Sequence, residues 1–298
     1  MKFSIKQKAV IALFIVALSY SLLSVVVRLM NSGFGPFTQV YMRIGLGCIL
    51  TGGIFYKKLH FKKFTKISNK DWLFLLVMGI LGYGLSVDFV TLGTLQTKLL
   101  DVAVIGSTTP FFIFLFSITV LRRPFHNYLL LFLLMVLYGV CVLAAKTLLP
   151  SFNGFGTGDV FILLSAIGFG VYILGRKALS DYLNNYEIAV IVMIIAFVSS
   201  LIVALLFREP LSFSGFSSPV GLFGLLLGGI LNLTATTFEN FAYKHINAVA
   251  GSQLLLLENV FTPFFGYIFY QEYILPVELF GALLVIVGVW LYIKYGED

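Results

Sequence analysis

Four ionisable side chains lie deep inside apolar stretches of this chain: Arg43, Asp88, Glu239 and Glu258. At the centre of a membrane helix an Arg or Asp costs about 2.5–3.5 kcal/mol, so such groups face a protein interior and find a partner or a task there. Glu258 is the deepest, about eleven residues into its stretch, or roughly 16 Å at the helical rise. It shares a helical stripe with Gly251, Leu255 and Thr262, one turn before Pro263. A carboxyl placed there can take up and release a coupling proton; alternatively it is a neutral, hydrogen-bonded acid that fixes a kink. Arg43 sits ~10 Å below the outer end of its stretch, too deep for easy snorkelling, where it can hold a substrate carboxylate. Asp88 falls at a similar depth with Arg28 just above, so the three form an outer cluster if their helices adjoin. Arg176 with Glu239 would be the mirror of that cluster. These two sets read as gates that form alternately, or Arg28 and Arg176 simply snorkel to headgroups.

Around these charges lie polar stripes. Asn232, Thr236, Glu239 and Tyr243 recur at +4, +3 and +4, with Thr234, Thr237 and Asn240 beside them. That spacing is one helix face and predicts the wettest wall of a central cavity, although interhelical hydrogen bonding is the better explanation for the threonines. Ser107, Thr108 and Thr109 before Pro110 predict the opposing wall. Tyr172 and Tyr20 are the two aromatic residues on interior stripes, among 31 Phe, 15 Tyr and 2 Trp that are otherwise ordinary filler. A cage for a quaternary ammonium or drug cation is therefore the second reading of the site.

The elements that carry these residues are ten apolar stretches of 18–24 residues, near 8–30, 36–56, 72–95, 99–121, 127–146, 157–178, 186–207, 219–242, 247–270 and 276–294. Each is long enough to cross ~30 Å of hydrocarbon as a helix. With the N-terminus inside, fifteen lysines and arginines fall in inner segments and only Lys98, Lys146 and Arg208 in outer ones, leaving Arg28 and Arg43 within spans. That asymmetry orients a polytopic, all-α protein of the cell (inner) membrane with both termini cytoplasmic.

Composition removes other classes. The chain is 59% hydrophobic and 11% charged, far from the usual quarter charged of soluble domains. The net charge of +7 sits mostly in short loops, where lysines meet anionic headgroups, so no nucleic-acid partner is implied. Cys48 and Cys141 both lie within spans, which indicates neither a disulfide framework nor a metal site. His60, His126 and His245 fall at loops and are expected to be solvated. The first stretch is too long for a signal-peptide core and is expected to be retained. No cofactor is expected, and nothing in the sequence speaks to oligomeric state.

Five stretches precede the connection at 147–156 and five follow it, so related halves (1–148 and 149–298) would lie upside down to one another. Pro110 and Pro263 are the only prolines inside spans, in the fourth and the ninth, and both stand in Thr-Pro-Phe-Phe. Ala17, Ser21, Ser24 and Arg28 share their spacing with Ser165, Phe169, Tyr172 and Arg176. Paired interruptions in corresponding spans point to the binding site of a transporter. The glycines Gly79, Gly82 and Gly84, and the pair Gly224 and Gly228, read as close helix contacts.

Leu257-Glu258-Asn259-Val260, then Gln271-Glu272, then the tail from Gly281 to Gly288 resemble motifs of the drug/metabolite transporter superfamily, in its EamA-like branch. The resemblance covers the whole chain. It departs at Asn259, where the family often has proline, and at Arg122-Arg123, where an acid is usual. It implies a secondary carrier that moves a small metabolite, an amino acid or related compound, without ATP, and a proton or cation as coupling partner. An intramembrane enzyme is the remote alternative, together with a non-transporting membrane protein. Gly156-Thr157-Gly158-Asp159 and Gly84-Leu85-Ser86 superficially match membrane protease motifs, but no Tyr-Asp pair and no histidine within a span accompanies them. The expected site is lined by spans three, four, eight and nine and by the starts of one and six.

Overall fold

The computed structural model describes residues 4–31, 33–97, 99–119, 127–149, 156–210, 214–271 and 273–295. Lys98, Arg122, Arg123, His126, Glu272 and most of the connection between the halves lie outside the described residues. Among the described residues every regular element is helical. We number the long ones α1 (Ile5–Met30), α2 (Pro36–Ile54), α3 (Asn69–Gln96), α4 (Leu99–Gly106), α5 (Thr109–Thr119), α6 (Asn127–Ala145), α7 (Thr157–Ala178), α8 (Asn185–Leu206), α9 (Pro219–His245), α10 (Ala248–Leu255), α11 (Glu258–Tyr270) and α12 (Pro276–Tyr295). Among the described residues, seven helical segments are long and apolar enough to cross a membrane: α1, α3, α7, α8, α9, Ala248–Phe269 and α12. Val102–Leu115 and Leu129–Ala145 are shorter apolar helices, and α2 is a 19-residue helix interrupted in character by Gln39 and Arg43.

Local chemistry sets the ends. Ser4 and Gln7 form a reciprocal capping box at α1, and Asn184 with Glu187 does the same at α8; each pair satisfies backbone N–H groups that no helix turn can reach. Pro36 and Pro219 open α2 and α9, where a missing N–H costs nothing. The Glu209 carboxylate accepts from the N–H groups of Phe37 and Thr38 at 2.8 and 2.9 Å, so the end of α8 caps the start of α2.

Two breaks differ from the proline positions. Between α4 and α5 the chain turns at Ser107–Thr108, directly ahead of Pro110, as its ring requires. In the second half the helix runs through Pro263, and the interruption falls at Leu256–Leu257 instead. There, Leu257 N–H bonds to Leu254 O at 3.2 Å and Val260 N–H to Leu257 O at 3.0 Å, a tightened three-residue register. Proline crowds the carbonyl four residues back, here that of Asn259 within α11, so the interruption lies upstream of the turn that the ring affects.

α1 packs along α9, α7 along α3, α2 against α8, and α6 against α12; α11 lies on α1 and α5 on α7. Glycines set the closest of these approaches, as their spacing predicts. A Cβ at Gly82 would come within 2.8–2.9 Å of the Tyr172 backbone and Cβ. Gly139 and Gly281 would each strike the other's carbonyl at 2.8–2.9 Å, so the glycine tail of α12 is where it meets α6. Gly82→Ala is therefore expected to destabilise the protein by about 1–3 kcal/mol through overpacking. Thermal unfolding in detergent checks this against Gly52→Ala, whose Cβ meets nothing within 4 Å.

Candidate functional site

A cavity of about 520 Å³ lies between α1, α3, α7, α9 and the two broken segments. Its floor holds Tyr20, Tyr172 and Glu239; its walls include Arg43, Tyr83, Ser107, Asn232, Glu258 and Asn259. It continues past Arg28 and Thr94 to Lys146, Tyr273 and Glu278, which are at the last turns of α1 and α3, just after α6, and at the start of α12. The cavity thus runs to the end of the bundle opposite the start of α1. Lys146 Nζ lies 3.6 Å from Glu278 Oε1 at that rim.

The opposite, lysine-rich end is packed shut. The Tyr243 ring and Leu13 lie against Gly251 so closely that a Cβ would meet them at 2.6 and 3.1 Å. The Asp71 carboxylate accepts from the Ser180 hydroxyl and N–H, at 2.6 and 3.1 Å. Glu187 accepts from the His60 N–H and lies 2.9 Å from its Nδ1, so His60 is exposed but partnered, not merely solvated. In the α7–α8 connection, the Lys244 ammonium 2.9 Å away holds the Asp181 carboxyl below the usual carboxylate range.

Arg43 is buried, lines the cavity and folds its stem against Gly228, donating Nε to Gln39 O at 3.1 Å. Asp88 is buried beneath the wall, facing Ser200 and Arg43, with neither carboxylate oxygen in hydrogen-bonding geometry. The two charges are neighbours but form no direct ion pair among the described residues. Arg28 lines the upper cavity. Arg176 does not meet Glu239: Nε donates to Asn240 O at 3.0 Å and Nη2 to Asn185 Oδ1 at 3.3 Å. Glu239 turns into the cavity while Arg176 lies behind the floor, so the expected inner pair is absent in this arrangement.

The broken segments meet across the site. Asn259 Nδ2 donates to Ser107 Oγ at 3.4 Å, joining the second interruption to the first, and Ser21 Oγ donates to Glu258 O at 2.8 Å, tying α1 to the turn. Glu258 is half-buried at the cavity wall, with Thr109, Pro110 and Pro263 also lining it. Thr109 Oγ1 is spent on Gly106 O. α1 contributes its second half, Tyr20 to Arg28, and not its start, because the start is packed into the closed end.

The residue that sequence reasoning missed is Tyr83. Its hydroxyl donates to Asn232 Oδ1 at 2.8 Å and accepts from Thr236 Oγ1 at 3.3 Å, so two residues of the predicted polar stripe are held by it. Tyr83 is aimed by a seven-residue π segment, Met78–Gly84. Such widened turns gather at functional sites, and the glycines flanking Tyr83 were the available signal. Thr234, beside the stripe in sequence, is half-buried, does not line the cavity and bonds to Ile230 O.

The protease-like motifs have structural roles. Asp159 accepts from the Gly156 N–H at 2.7 Å as the cap of α7, and Ser86 Oγ donates to Leu81 O inside the widened turn.

Comparison with known proteins agrees with this architecture. The chain is 26% identical over 225 residues to the pseudopaline exporter CntI of Pseudomonas aeruginosa strain UCBPP-PA14, covering 74% of this chain and 75% of that one. The same exporter from strain PAO1 matches to the same extent. A crystal structure superposes with a TM-score of 0.77 at 15% identity, over 97% of this chain and 99% of the other, which shows the fold. The EamA-like transporter family matches twice, over residues 7–145 and 156–294. The chain is thus a multi-pass membrane transporter and not an enzyme, and it belongs to the EamA-like transporter family.

Proposed function

We propose that this protein is a secondary-active carrier of a small metabolite, an amino acid or related compound, working by alternating access across the inner membrane. The observation that carries this reading is a central cavity with both signs of charge, reaching one end of the bundle while the other end is packed shut. Arg43 offers a place for a substrate carboxylate, and Glu239 and Glu258 for a positive group or a proton. The polar stripe and Tyr172 line the passage.

In this reading ten spans form two inverted five-helix repeats, residues 1–148 and 149–298. Two observations support the repeats. The family matches each half separately, and the helix pairs exchange between halves: α1 on α9 is matched by α7 on α3, and α11 on α1 by α5 on α7. An odd number of spans per half makes the repeat inverted, the arrangement that rocks about a midplane site. With the lysine-rich end inside, the cavity faces outward and both termini are cytoplasmic. Arg28, Arg43 and Asp88 then belong to the open gate, while Arg176 and Glu239, which do not pair here, do not form the closed one. The two similar exporters favour outward movement.

The test is flux of a metabolite panel in vesicles of known sidedness, with and without a pH gradient; gradient-independent flux no greater than in empty vesicles refutes the carrier. Orientation is read in parallel in a cysteine-free background. Single cysteines at Lys146 or Tyr273 are expected to react with impermeant maleimide from outside, and ones at Lys62 or Lys244 are not. The reverse pattern inverts the topology.

A further inference from the structure

The cavity floor has a feature that sharpens the carrier reading. Glu239 is 3% exposed and its Oε2 has no hydrogen-bond partner. Tyr172, 1% exposed, likewise leaves its hydroxyl unpartnered, and both residues line the cavity. Neither nearby arginine answers them: Arg176 is committed to Asn240 O and Asn185, and Arg43 turns to Gln39 O and the Asp88 side. A buried carboxylate oxygen and a hydroxyl left without donors are costly, and an occupant that donates hydrogen bonds would satisfy both.

The surroundings define that occupant. Tyr20 faces Glu239, and the Tyr83 ring lies 5.7 Å from that of Tyr172, tilted by 44°. Tyr83 is held there by Asn232 and Thr236, and Tyr172 by its backbone fit over Gly82. Three tyrosines about one carboxylate suit an organic cation. A metal ion is disfavoured, because no group of three or more His, Cys, Asp or Glu gathers among the described residues, and hard cations need many oxygen ligands. A quaternary ammonium would use the rings but has no N–H for Glu239 and Tyr172.

Resting on the carrier reading, and sharpening it, we propose that the floor formed by Glu239, Tyr172, Tyr20 and Tyr83 binds the protonated, N–H-bearing amine of the substrate. The amine enters first, from the open end, and the rest of the substrate lies toward Arg43 and Asn259.

Purified protein in detergent is titrated with butylammonium, phenethylammonium, trimethylphenethylammonium and N-phenethylacetamide, and the unfolding midpoint is followed. The two primary amines are expected to raise the midpoint saturably, and the quaternary and neutral analogues to act about tenfold more weakly, having lost charge-assisted donors. Glu239→Gln is expected to weaken the primary amines by about tenfold or more, while Thr234→Ala, on the same helix but away from the cavity lining, responds as wild type. Tyr172→Phe keeps the ring and removes the acceptor; it should narrow the gap between primary and quaternary probes, and it serves if Glu239→Gln does not fold. Equal responses to all four probes, or an unchanged response in these variants, overturns the proposal. So does the absence of any amine response in wild-type protein that still moves metabolites in vesicles. Absence of both binding and flux removes the carrier reading itself.

Discussion

Glu258→Gln is expected to abolish pH-gradient-driven accumulation of substrate while leaving exchange at equal pH on both sides. The carboxyl stands at the interruption between α10 and α11, on the cavity wall, where the passage opens to one side at a time under the proposed alternating access. A group so placed can carry a proton between two solutions without ever connecting them. The amide is close in size and cannot ionise, so the packing near Ser21 and Thr262 is preserved. Those two hydroxyls bond to the Glu258 backbone carbonyl and not to its carboxylate. If one proton moves per substrate, each pH unit supports roughly tenfold accumulation, about 1.36 kcal/mol. The variant's accumulation ratio should fall to one. Wild-type accumulation by the variant would make Glu258 structural, and coupling would pass to Asp88 or Glu239.

Neutralising Arg43 is expected to have the second large effect. Arg43→Met retains an aliphatic stem to lie against Gly228 but removes the only cation at mid-depth in the cavity among the described residues. Substrate flux should fall at least tenfold, with Arg43→Lys retaining part of it because a point charge remains. Asp88 supplies the check on cause. It is buried with both oxygens unpartnered, and its near neighbour in charge is Arg43. Removing one charge strands the other in the membrane, so Asp88→Asn alone should also be severe. The double variant Arg43→Gln with Asp88→Asn should recover flux relative to either single change, with a coupling of about 0.5–3 kcal/mol. Strictly additive losses would show that the two charges act separately and would remove the outer gate.

How much of this was legible without coordinates depended on the physics behind each feature. Seven of the apolar stretches coincide to within a few residues with helical segments long and apolar enough to cross a membrane among the described residues, since length and hydrophobicity are local quantities. The glycine contacts were equally readable: Gly79, Gly82 and Gly84 each abut a neighbouring helix, because a position without a side chain in an apolar helix has packing as its main use. The buried charges and polar stripe were found because polar groups in hydrocarbon stand out whatever the fold.

What tertiary structure alone decided was which of those groups share a partner. Arg176 and Glu239 were expected to pair from matched depth, yet Arg176 bonds to the Asn240 carbonyl and Asn185, because depth says nothing of azimuth. Tyr83 gained its role through a widened turn that no apolar periodicity announces. The helix break near Glu258 fell at Leu256–Leu257, upstream of Pro263, beside the point where the Ser21 hydroxyl of α1 bonds to the Glu258 carbonyl, a tertiary contact that local sequence does not announce. Sequence determined that a charge must be buried, for the cost of hydrocarbon acts on each residue alone; only the fold, by rotating one helix against another, determined what each charge would meet.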